Sequence, residues 1–245
     1  MPGKTQFAQL ILLFFLIVST DISAQYALAK FDLEGDIRQW YDDNLGLDKS
    51  GILNGEFGDI QRQSRDSHQF FGRDQWLVNT ITYRGERYDS IYLRYDIERD
   101  LVLIRHPTSY RYHAQPIKLI QDEIETFEVD GHQFRRYNHD ILSYPPGFFD
   151  ELYLGNKINL LCKRIKITET NQTLIYVSED KLILEREGEY YRVKNKGSIL
   201  RLFKPYKQEI KTFIQEQNLN INRENEYDFI ALVRFCDHLI TINGL

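Results

Sequence analysis

The sequence predicts a mainly β protein, an antiparallel meander forming a sandwich or partly open barrel with a C-terminal helical hairpin, on three observations. Residues 75–105 hold three apolar, β-branched and aromatic runs separated by short polar breaks. Turn dipeptides such as Asp130-Gly131 then recur at hairpin spacing, and after Gly197 the apolar period changes from two to that of a helix. Consecutive tight turns favour strands that pair with sequence neighbours over the crossovers of a parallel α/β fold.

At the N-terminus, Lys4 precedes the apolar run Leu10 to Val18 and the small residue Ala24, the pattern of a secretory signal peptide over 1–24. That run is too short to span a bilayer, so the mature chain is expected in the periplasm or outside the cell, not spanning the membrane. No cysteine lies near the cleavage point to accept a lipid. An antiparallel β domain over 25–195 and a helical appendage over 196–245 packed on it complete the expected organisation. Over 26–47, Leu33, Ile37, Trp40, Tyr41 and Leu45 recur at helical spacing, which predicts a short helix.

The central meander carries the clearest pattern. Ile91, Leu93 and Tyr95 fall on one face of the second run and are expected in the core, while Tyr88, Tyr92 and Arg94 fall on the other. Aromatic rings beside Arg make that outward face a candidate binding surface; the competing reading is a face covered by the C-terminal helices. Ile117 to Ile120 is a candidate short strand. Glu125 to Tyr137 forms a hairpin around Asp130-Gly131, Phe148 to Leu154 and Lys157 to Ile167 flank Gly155-Asn156, and Lys181 to Leu184 and Tyr190 to Val193 flank Glu187-Gly188-Glu189. Beyond Gly197, Pro205 opens a helix whose stripe is Tyr206, Ile210, Phe213 and Ile214; Asn222 is the expected N-cap of the last helix, whose stripe is Phe229, Val233, Cys236 and Ile240.

Several function classes are disfavoured. The formal charge is -5, with Lys and Arg interleaved with acids along the chain, so a nucleic-acid surface is not expected. No phosphate loop, nucleophile elbow or metal-ligand spacing occurs, so no cofactor and no metal are expected. Asp96, Glu98 and Asp100 alternate as the first ligands of an EF-hand do, but Leu101 stands where that loop needs Gly and Pro107 where it needs Glu, so a solvated turn is the expectation. His106, His113, His132 and His139 lack a ligand spacing. Cys162 and Cys236 read as two buried thiols, although export permits a disulfide.

Asp150 and Glu151, beside Phe148, Phe149 and Tyr153, are the carboxylates that a hydrolase of glycans would use; the competing reading has these acids facing solvent from a strand whose aromatics face the core. The favoured function is therefore an exported envelope protein that binds or scaffolds an envelope protein, a glycan or a lipid through a sheet face, without catalysis. The alternative is the carboxylate-dependent hydrolase.

Across 51–239, the pieces Phe70-Phe71 before Trp76, Tyr83-Arg-Gly-Glu-Arg-Tyr88, Tyr95-Asp96-Ile97, Gly131-His132-Gln133-Phe134 and Gly147-Phe148-Phe149-Asp150, with Gly155 and the paired terminal helices, resemble a family of exported, functionally uncharacterised β-rich proteins of Gram-negative bacteria. The resemblance implies a shared fold and export, and it brings no catalytic residues.

Overall fold

The hairpin turns set the architecture. At Asp130-Gly131 both central residues take left-handed conformations (φ 51° and 83°), and Arg84-Gly85 and Glu187-Gly188 do the same. This turn matches the right-handed twist of the strands it joins. A computed structural model describes residues 51–53, 55–58, 64, 67–105, 116–170, 174–222 and 224–243. The signal peptide expected over 1–24 and the helix expected over 26–47 lie outside the described residues.

The strands are β1 (Glu56–Phe57), β2 (Leu77–Tyr83), β3 (Glu86–Asp96), β4 (Leu101–Ile104), β5 (Ile117–Lys118), β6 (Ile124–Val129), β7 (His132–Tyr137), β8 (Gly147–Leu154), β9 (Ile158–Lys163), β10 (Lys166–Thr170), β11 (Leu174–Ser178), β12 (Lys181–Arg186) and β13 (Glu189–Val193). Eleven form one antiparallel sheet in the order β1-β5-β4-β3-β2-β6-β7-β8-β9-β12-β13, and β10 with β11 makes a separate ribbon. The strand expected over 157–167 ends at Lys163, its last two residues open β10, and β11 is a further strand that the sequence pattern does not signal.

The sheet is strongly curled without closing. Three strands separate β3 from β8, yet the Tyr95 ring meets Phe148 edge-on at 5.8 Å and Phe134 at 4.9 Å. Phe127 stacks on Phe134 at 5.0 Å and completes an aromatic core inside the curl. Lys163 at the end of β9 donates to Asp100 in the β3–β4 turn (2.8 Å) and to the Phe148 carbonyl (2.9 Å), which ties the two ends of the arc together.

One irregularity corrects the expected facing of β3. Its register with β2 shifts between Asn79↔Ile91 and Ile81↔Tyr88, placing one extra residue in β3 around Ser90, whose φ is 59°. A bulge inverts every side chain beyond it relative to strict alternation. Tyr88 is therefore on the core face, 3% exposed, with its hydroxyl donating to Glu86 Oε2 at 2.8 Å.

The helices are α1 (Lys196–Leu202), α2 (Lys207–Glu216) and α3 (Glu226–Asn243), with a 3-10 turn at Lys204–Tyr206 taking Pro205. Asn195 caps α1 reciprocally: Ser198 N donates to its Oδ1 and Asn195 N donates to Ser198 Oγ. The expected N-cap of the last helix moves: Asn225 Oδ1 accepts from Asp228 N, while Asn222 Oδ1 closes the turn before it through Glu224 N and Asn225 N. The stripe Phe229, Val233, Cys236 and Ile240 is buried as expected.

Cross-strand partners share a face, and Phe134↔Asp150↔Cys162↔Leu182↔Val193 runs across β7, β8, β9, β12 and β13. Phe134 belongs to the aromatic core and Cys162, Leu182 and Val193 to the helix-covered core, so the helices extend the meander's own core face. They do not cover the opposite face of β2 and β3. Near β8 that opposite face is closed by Ile141 and Tyr144, which pack with Phe149, Leu161 and Ile183.

Candidate functional site

Asp150 lies where the aromatic core gives way to the helix-covered core. Its neighbour Glu151 is next along β8 and must point through the sheet to the other face, so the two acids do not form a pair. Neither faces solvent as the competing reading expected. Asp150 is 1% exposed, and Glu151, whose side chain is 4% exposed, is held by Arg135 Nε at 2.6 Å.

A buried carboxylate requires compensation, and Arg164, immediately after β9, supplies it. Its Nε and Nη2 donate to Asp150 Oδ2 at 2.9 and 2.5 Å, its Nη1 to Asp180 at 2.8 Å and to Glu226 Oε1, and its Nη2 to Glu226 Oε2 at 2.9 Å. The guanidinium also lies 5.4 Å from the Phe71 ring centre. Burial works against the Arg164 charge, but the hydrogen bond to Glu226 and the surrounding carboxylates outweigh it and hold the pKa above its ordinary value. One buried cation thus joins β8, the β9–β10 connection, the start of β12 and the first turn of α3.

His132, the first residue after the Asp130-Gly131 turn, completes the cluster. Its Nδ1 lies 2.7 Å from Asp150 Oδ2, and its ring meets Phe71 edge-on at 5.0 Å. The hydrogen bond to Asp150 raises the imidazole pKa against its partial burial and the nearby Arg164 charge. Among the described residues no group bonds Nε2, and His132 lines a cleft of about 490 Å³ with Gln133, Leu152, Glu224 and Tyr227. The arrangement can hold and move a proton at Nε2, since a carboxylate at Nδ1 fixes the ring and supports the imidazolium.

Cys162 Sγ and carboxylate oxygens of Asp180 and Glu226 lie within 4.8 Å of one another, a spacing that would fit a metal ion. Arg164 already bridges both carboxylates there, so a cation would have to displace the guanidinium. Burial pushes the Cys162 thiol well above its ordinary pKa, which suits neither a ligand nor a nucleophile. Both cysteines are free and buried.

The other sequence candidates are dispersed. Tyr88 is in the core. Arg94 faces outward but is covered by residues 67–76: its guanidinium sits 4.8 Å from the Phe70 ring centre and 4.7 Å from that of Trp76, and pairs with Asp74 at 3.0 Å. Tyr92 alone stays open, 44% exposed, directly opposite the 53% exposed Val78 and with the Arg105 guanidinium 5.7 Å from its ring centre. The turn after β3 is not a solvated one either. Asp96 is fully buried, accepting from the N–H groups of Glu98 and Arg99 and from Arg99 Nε at 2.8 Å, while Asp100 holds Tyr95 and Lys163.

Sequence alone does not join His132 and Arg164 to Asp150, because the three meet only through strand pairing; the available signal was the basic pair Lys163-Arg164 at the end of the run Ile158–Cys162. Comparison of the chain with known protein families, curated proteins and solved structures finds no match.

Proposed function

We propose that the chain is an exported envelope protein that binds or scaffolds a partner through the open sheet face at Val78, Tyr92 and Arg105, without catalysis. The observation that carries this reading is the cross-strand pair Val78 and Tyr92, two large apolar groups directly opposite one another and half exposed on the outer face of β2 and β3. An aromatic ring flanked by a guanidinium is the type of anchor found at binding surfaces. Export rests on the N-terminal signal pattern and on the resemblance to exported β-rich proteins; the partner is an envelope protein, a glycan or a lipid. The test is affinity capture of the tagged mature protein from its own cell envelope, beside a Val78→Glu, Tyr92→Glu double variant. Loss of the captured partner from the folded variant supports the reading, and equal capture refutes it.

A hydrolase remains the second reading because the His132–Asp150 pair opens on a cleft. In that form the acid–base group is His132, with Asp150 positioning it and Glu151 playing no part. Turnover of a glycoside, ester or peptide substrate that disappears in His132→Gln, with the fold retained by circular dichroism, would favour it over binding.

A further inference from the structure

A second concavity, apart from both surfaces above, lies between α2, α3 and the β8–β9 turn. It encloses about 440 Å³, within the range of small-molecule sites. The helix contributes Ala231, Arg234, Phe235, His238 and Thr241, which recur at spacings of three, one, three and three and so share one side of α3. Phe213 of α2 stacks flat on Phe235 with ring centres 4.0 Å apart, and Tyr153 of β8 forms the facing wall. Ala231 is the small residue that leaves the space between them.

The polar groups of this concavity divide cleanly into committed and uncommitted. Asp237 is 3% exposed and fully engaged: Oδ1 accepts from Lys157 N (2.8 Å) and Ile158 N (3.0 Å), and Oδ2 from Asn156 N (2.9 Å) and the Tyr153 hydroxyl (3.0 Å). Arg234, by contrast, is exposed, and its guanidinium contacts only the Tyr153 ring, at 5.7 Å; among the described residues it has no carboxylate partner. The His238 ring is likewise uncommitted at the rim. Aromatic walls with one free guanidinium at the mouth complement a molecule with an apolar body and a single anionic head, since a planar guanidinium pairs with a carboxylate through two parallel hydrogen bonds.

We infer that this concavity binds a small anionic amphiphile of the fatty-acid class, with its chain against Phe213, Phe235 and Tyr153 and its carboxylate on Arg234. The site shares no residue with Val78, Tyr92 and Arg105, so either proposal can fail without the other. The test is titration calorimetry of the mature protein with decanoate below its micelle-forming concentration, with decanol as the uncharged control. The expected result is saturable one-site binding that weakens about tenfold in Arg234→Gln, the loss of one charged pair. Decanol should bind no more tightly to the native chain than decanoate binds to that variant. Filling the space with Ala231→Phe should abolish binding of both; if that variant fails to fold, Arg234→Gln decides. Absence of saturable decanoate binding, or native affinity in Arg234→Gln, overturns the inference.

Discussion

Replacing Arg164 with leucine isolates the worth of the buried cation. The side chain is 5% exposed and its chief partner Asp150 1%, so solvent screens this pair little. Removing one partner of a buried ion pair costs about 3–5 kcal/mol, because the remaining carboxylate is stranded. The leucine returns about 1–2 kcal/mol through its own burial. The net loss is then about 1–4 kcal/mol, a fall in Tm of roughly 2–16 °C for a chain of this size. Urea unfolding at neutral pH, followed by tryptophan fluorescence and circular dichroism, reads it directly. One signature separates a stranded charge from lost packing: adding Asp150→Asn to the leucine variant should restore part of the loss. A loss below about 0.5 kcal/mol, the scale of a surface pair, would refute the reasoning.

Three further outcomes are expected. The folded pKa of His132 is raised above its unfolded value near 6.5, so its stabilising contribution is complete below that value and is lost as pH rises through the raised one. The melting temperature of His132→Gln should therefore fall furthest below the native chain in mild acid and converge on it in mild alkali; a constant difference would contradict the linkage. Gly155→Ala should lose about 1–3 kcal/mol in urea unfolding, since a Cβ there would stand 2.4 Å from Asp237 Oδ2, 2.6 Å from the Tyr153 ring and 2.7 Å from the Ile158 carbonyl. Cys162 and Cys236 should react with a thiol reagent only in denaturant and without prior reduction, because both are free and buried, with burial pushing the Cys236 thiol up to about 12.

Local signals determined what the sequence made legible. Turn dipeptides placed the hairpins at Asp130-Gly131, Gly155-Asn156 and Glu187-Gly188, and helical stripes placed α2 and α3. Strict alternation failed at β3 because the residue in excess near Ser90 leaves no mark on composition, and Tyr88 was carried from the outer face to the core. The seam cluster was illegible for a different reason. Asp150 was singled out, but paired with its sequence neighbour, which a strand necessarily turns to the opposite side. Its actual partners, His132 and Arg164, become neighbours only through the β7–β8–β9 register, and Glu226 only when the last helix docks.

The hairpin turn after β8 depends on a residue that is synthesised much later. Its amides at Asn156, Lys157 and Ile158 converge on Asp237, 79 to 81 positions downstream, and Arg164 waits for Glu226 across 62. Until α3 emerges, Arg164 has Asp150 and Asp180 but lacks Glu226, and the turn amides of Asn156, Lys157 and Ile158 lack their carboxylate acceptor. Such distant closures make folding slow and all-or-none, so a chain truncated before α3 should persist as an open, protease-sensitive polypeptide instead of a smaller stable body.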